Sequence, residues 1–196
     1  MKPLALFFSL LIAIALPNLT AGQDLAGNAA LGEDPLPGKY TAEQVNSFLE
    51  QFVGTWEGKY AIGSLDGVTL MEFEAQMTYE WDVVGETQVL RNSAVYSNGQ
   101  TMNHATALSY FWLGRIVSEV EENEVKRVYL GDISEDEKSV NWRPANTETP
   151  TRTSFRETFV PAEGGTELKI QGHEDYQKGM RRRLLILSGL LKKVDE

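Results

Sequence analysis

Between Met71 and Val83 every second residue is apolar: Met71, Phe73, Ala75, Met77, Tyr79, Trp81 and Val83 alternate with Glu72, Glu74, Gln76, Thr78, Glu80 and Asp82. A period of two held this long predicts a strand with one face in water. Ahead of Gly54 the period is different. Val45, Phe48, Leu49 and Phe52 form one stripe at helical spacing, and Thr41 with Gln44 three places on has the residues of a capping box, which predicts one short helix. After Gly54 turn signals recur at Asp66-Gly67, Gly85, Asn98-Gly99, Gly114, Glu122-Asn123 and Gly164-Gly165. Asn98-Gly99 is the pair best suited to a type I′ turn, which needs two left-handed residues. Between these markers the pattern predicts ten strands: 54 to 62, 67 to 83, 86 to 97, 100 to 113, 115 to 122, 124 to 131, 138 to 143, 151 to 161, 165 to 173 and 180 to 187. An open sheet of ten strands joined by short connections would leave two long edges, so closure into an up-and-down antiparallel barrel, or a sandwich, is expected. The helix would plug one end.

The two termini read differently. Lys2, the apolar run Leu4 to Leu16 and the small, polar exit Pro17 to Gly22 resemble a secretory signal over residues 1 to 22, implying an exported protein, periplasmic or secreted. The run is short for a bilayer span. Residues 23 to 39 are rich in Gly, Ala and Pro and read as a linker, so the barrel domain occupies 40 to 196. At the other end, Lys178 to Lys193 is the one concentrated basic stretch. It reads either as a basic apolar helix for a membrane surface or as the barrel-closing strand with a basic lead-in, the second being preferred. On that reading residues 188 to 196 are dispensable for folding and 180 to 187 are not.

Charge and composition narrow the function. Without the leader 17 Lys and Arg face 28 Asp and Glu, a net charge of −11 that repels nucleic acid. No cysteine is present, which removes disulfides, thiolate metal sites and cysteine nucleophiles. The sequence also has no phosphate-cradling Gly-rich loop, no His-Glu-x-x-His and no Gly-x-Ser-x-Gly.

Phe52-Val53-Gly54-Thr55-Trp56-Glu57-Gly58 resembles the opening of calycin or lipocalin-like barrels, where a short helix is followed by Gly-x-Trp on the first strand. The nearest resemblance is to a bacterial domain-of-unknown-function family of the 1579 type and, more distantly, to the nitrobindin group. It extends over residues 45 to 187. The resemblance implies that the Trp56 indole closes the barrel floor with its N–H bonded to nearby backbone, and that a late basic residue, Arg152, Arg156 or Arg181, stacks on it. From the nitrobindin group it also brings in haem, but neither His104 nor His173 aligns with that group's iron ligand, which disfavours haem.

The candidate ligand-binding wall is Trp56, Tyr79, Trp81, His104, Tyr110 and Trp112, rings and an imidazole whose parity allows them to line a barrel interior. His104 shares a face with Met102, Thr106, Leu108, Tyr110 and Trp112, and Phe155, Glu157 and Phe159 share another. His173 and Glu174 are adjacent on a strand and so point to opposite faces, which speaks against a metal site there. The leading expectation is a barrel that binds a small hydrophobic or amphipathic molecule. The alternatives are a filled barrel acting through its surface in the cell envelope and, less favoured, an enzyme using His104.

Overall fold

The computed structural model describes residues 38–146, 151–163, 165–178 and 181–194. The signal segment 1–22 and linker residues 23–37 lie outside the described residues, as does Gly164 of the Gly164-Gly165 turn signal. Helix α1 spans Ala42–Glu50 and opens with the expected capping box: the Thr41 hydroxyl accepts from the Gln44 backbone N–H and the Gln44 side chain accepts from the Thr41 N–H. Its apolar stripe is buried at Val45, Phe48 and Leu49.

Ten antiparallel strands follow: β1 Gly54–Ser64, β2 Thr69–Val84, β3 Thr87–Ser97, β4 Met102–Trp112, β5 Arg115–Glu122, β6 Val125–Ile133, β7 Ser139–Pro144, β8 Thr151–Ala162, β9 Gly165–Lys178 and β10 Arg181–Val194. Each pairs with its neighbours in sequence, and β1 pairs with β10, so the sheet closes into an up-and-down barrel. Closure removes both edges.

The basic C-terminal stretch is therefore a closing strand, not a membrane-surface helix, and it runs seven residues further than the alternation suggested. Thr55 pairs with Val194 and Ser64 with Leu185, so residues 188–194 hold Thr55 to Ala61. Residues 188 to 194 are thus part of the seam. The sequence reading stopped at Leu187 because Ser188 and Gly189 interrupt the apolar run, yet Gly189 faces inward, where Tyr60 and Ile170 close on it.

Two turn assignments also change. Asn98-Gly99 is not a two-residue type I′ turn. Only Gly99 has a positive φ, β3 and β4 are joined by residues 98 to 101, and the Asn98 Oδ1 accepts from the backbone N–H groups of Gln100 and Thr101. The left-handed pairs are Leu113-Gly114 (φ 46° and 77°) and Asn123-Glu124 (φ 52° and 64°), which carry the tight hairpins β4–β5 and β5–β6.

Candidate functional site

Strand parity divides every strand into an inner and an outer face. Inward positions include Trp56 and Tyr60 on β1, Met77 and Tyr79 on β2, Leu90 and Ala94 on β3, Ile116 on β5, Tyr129 on β6, Trp142 on β7, Phe159 on β8 and Leu168 on β9. The helix end of this interior is solid. Phe52 lies 4.7 Å from Phe159 and 5.2 Å from Tyr79, ring to ring, and Trp56 lies 6.0 Å from Phe159. The Trp56 Nε1–H donates to the Phe52 carbonyl at 2.7 Å, as the resemblance implied. Its stacking cation is Lys193, 5.7 Å from the indole and paired with Trp56 across the seam. Arg152 and Arg156 are exposed, Arg156 bonding Ser139, and the side chain of Arg181 lies outside the described residues.

Of the six wall candidates, Trp56 and Tyr79 belong to this packed floor, and Trp81 stands at the helix-end rim, where its Nε1–H donates to Glu50. His104, Tyr110 and Trp112 are not wall residues. They project from the outer face of β4: His104 is exposed, and Tyr110 joins an outer cluster with Val89, Val117 and Leu130, flanked by Leu108 and Trp112, its hydroxyl donating to Glu119. Most of the apolar parity of β4 belongs to the outside, while its inner face carries Asn103, Ala105, Ala107 and Ser109 and, at the helix end, Phe111. His173 likewise faces out and Glu174 in, so neither histidine presents an imidazole to the interior.

The other half of the interior is chemically unlike the floor. Its β3–β5 wall is built of small or polar side chains, with Asn92, Ala94, Asn103, Ala105, Ala107, Ser109 and Ser118 facing in, and Ser109 donates to Ser118 at 3.0 Å. Three and four strands round the barrel from β4, β7 and β8 set large groups against it: Trp142 and Phe155 with centroids 6.3 Å apart, and Phe155 with Tyr129 on β6 at 5.4 Å. Trp142 fits because Gly131 lies beneath it; a Cβ there would stand 2.8 Å from the indole. Nearer the mouth Tyr60 and Tyr96 meet at 5.4 Å, Arg127 pairs with Glu122 at 3.5 Å, and Thr153 donates to Glu174 at 3.3 Å. Tyr60, Asn92, Tyr96, Phe155 and Glu174 keep part of their surface accessible, whereas Phe48, Trp56, Leu168 and Leu191 at the floor keep at most 1%.

Two buried polar groups stand out in this half. Glu157 faces in with 9% exposure; the Trp142 Nε1–H donates to its Oε2 at 2.7 Å, and burial lifts its carboxyl to about 7 against that hydrogen bond. The Asn92 Oδ1 is buried without a donor. Higher up, burial raises Glu122, opposed by Arg127 and reinforced by Glu174, and burial raises Tyr60 well above the ordinary phenol, with smaller contributions from Tyr96 and both glutamates. The sequence grouping of Phe155, Glu157 and Phe159 signalled the first of these. Nothing in the pattern of β3 signalled Asn92.

At the mouth Leu65, Val68, Leu70, Met102 and Val125 are exposed. A separate cleft of about 350 Å3 opens beyond the floor, over Trp56 and Phe159 and between Gln51, Lys138 and Lys193. Its rim is solvated, and the indole N–H beneath it is already taken by Phe52.

No family model and no curated protein sequence matches the chain. The S-type phycobiliprotein lyase CPES from Guillardia theta has a similar structure, with a TM-score of 0.59 and 11% identity over 78% of this chain and 93% of that one. At that identity the likeness concerns the fold: this is a calycin-like barrel, lipocalin-like in build.

Proposed function

We propose that the barrel binds a small amphipathic molecule in its open half, entering at the end away from α1. The observation that carries the reading is the inner wall of β3, β4 and β5, where small and polar side chains face Trp142, Phe155 and Glu157, with an unsatisfied acceptor at Asn92. A barrel filled only for stability would not set so many small and polar side chains among the larger Leu90, Tyr96, Phe111, Ile116 and Val120 of that wall, because interiors otherwise close-pack. Apolar rings with a few polar handles are how such barrels hold one ligand, and the fold shared with a phycobiliprotein lyase is in keeping with this. The exposed apolar residues around the mouth suit a ligand that is itself partly apolar.

Export belongs to the same reading. The leader 1 to 22 is cleaved near Ala21 or Gly22, and the barrel works in the periplasm or outside the cell. Kinship with the 1579-type bacterial domains is the proposed lineage. Native mass spectrometry of protein purified from its exported fraction, followed by solvent extraction, tests both parts. A mature mass lacking the leader and a stoichiometric small molecule are expected. A clean apo mass together with no uptake of added amphiphiles overturns the binding reading, and an intact leader overturns export.

A further inference from the structure

The polar groups of the open half are unevenly matched. Glu122, Glu157 and Glu174 face inward from β5, β8 and β9, against Arg127 from β6, which is taken by Glu122; Arg183 on β10 stands exposed at the rim. Glu157 sits deepest. Trp142 satisfies one of its oxygens, and among the described residues no cation is paired with it. Tyr79 lies beside both deep acceptors, since Asn92 is its partner in the β2–β3 register and Glu157 is among the charges acting on its hydroxyl. The interior therefore holds a carboxylate without a counter-charge, on the wall that carries the rings of Trp142, Phe155 and Tyr129, and an amide oxygen without a donor on β3, with Tyr79 linking the two.

Resting on the binding reading above, we infer that the ligand is an organic cation with an apolar body, whose protonated amine enters first and is held by the Glu157 carboxylate and the Asn92 carbonyl. A buried carboxylate without a partner is costly, and a buried acceptor without a donor costs further; an ammonium group supplies charge and donors together. An anionic amphiphile would instead bring a fourth negative charge to a wall with one inward arginine. The ammonium adds no covalent step: it binds and leaves intact.

The test uses three probes of one chain length, dodecylamine, 1-dodecanol and dodecanoate, titrated by calorimetry at pH 8 into the purified protein and into its Glu157→Gln variant. The variant keeps an acceptor for the Trp142 N–H and loses only the charge. The amine is expected to bind roughly tenfold or more tightly than the alcohol, because it brings a counter-charge to the Glu157 carboxylate as well as donors, and dodecanoate more weakly than either. In Glu157→Gln the amine preference over the alcohol collapses. Equal binding of all three probes by the unaltered protein leaves the binding reading standing and overturns the cation inference. An amine preference that survives in Glu157→Gln overturns the role of Glu157, and no binding of any probe overturns the chamber itself.

Discussion

Glu157 makes the stability of the unliganded barrel fall as pH rises, and the size of the fall follows from its position. Its carboxyl titrates at about 7 in the folded barrel against 4.5 in the unfolded chain, because burial between Trp142 and the facing wall penalises the charge more than the indole N–H compensates. Below pH 4.5 both states hold the proton and Glu157 contributes nothing. Between that point and about 7 only the unfolded chain has released it, so stability drops by about 1.4 kcal/mol per pH unit, and above 7 the accumulated cost is constant at ~3 kcal/mol. The substitution Glu157→Gln removes the titration and keeps the hydrogen bond. Urea unfolding of both proteins at pH 4.5, 6 and 8 should show nearly equal stabilities at the lowest pH and a variant more stable by ~3 kcal/mol at the highest. A stability gap that does not change with pH, or a variant that is weaker at pH 8, would refute the account. Under the cation inference, dodecylamine narrows the gap at pH 8 by stabilising the unaltered protein more than the variant.

Three further outcomes are expected. Truncation after Leu187 removes the partners of Thr55 to Ala61 and the buried Leu191, and far-UV circular dichroism should show a chain that fails to fold. Trp56→Phe leaves the Phe52 carbonyl unsatisfied under α1 and opens space beside Phe159; chemical denaturation should register a loss of ~2 to 4 kcal/mol. Glu124→Gly relieves an exposed residue held at φ 64° in the β5–β6 turn, and the unfolding midpoint should rise with a gain of ~0.5 to 1 kcal/mol, since the left-handed penalty outweighs the extra freedom of glycine in the unfolded chain.

Alternation made the barrel legible, and its limits explain the misplaced wall. Met71 to Val83 carries the signal cleanly because β2 has an apolar inner face and a charged outer one through Asp82, so parity and burial agree. On β4 they disagree. Met102, Leu108, Tyr110 and Trp112 are the apolar set, and they face out, where Tyr110 is buried against Val89, Val117 and Leu130. A strand whose inner face is Asn103, Ala105, Ala107 and Ser109, with Phe111 alone as a large apolar group, reads in the wrong register to anyone who equates apolar with inside. The same inversion concealed the proposed binding wall, because that wall is written largely in small and polar residues. Phe155, Glu157 and Phe159 were legible as one face since two rings flank the carboxylate. Asn92 was not, as its meaning depends on what lies across the barrel. Lys193 was missed as the cation over Trp56 because the closing strand had been ended too early, and lysine serves there in place of the arginine expected.

The seam between β1 and β10 has a kinetic consequence. Nine of the ten strand pairings join neighbours in sequence, but the tenth joins β1 to β10, at a separation of nearly the whole domain, from Thr55 to Val194. Until β10 arrives, β1 and β9 each present an open edge, and the inner face of the sheet has no opposite wall to pack against. Closing so long a loop costs entropy before the seam returns any contact, so folding should be limited by this one event and slow for the chain's size. A newly made chain would then remain open and adhesive along two edges for as long as β10 is withheld.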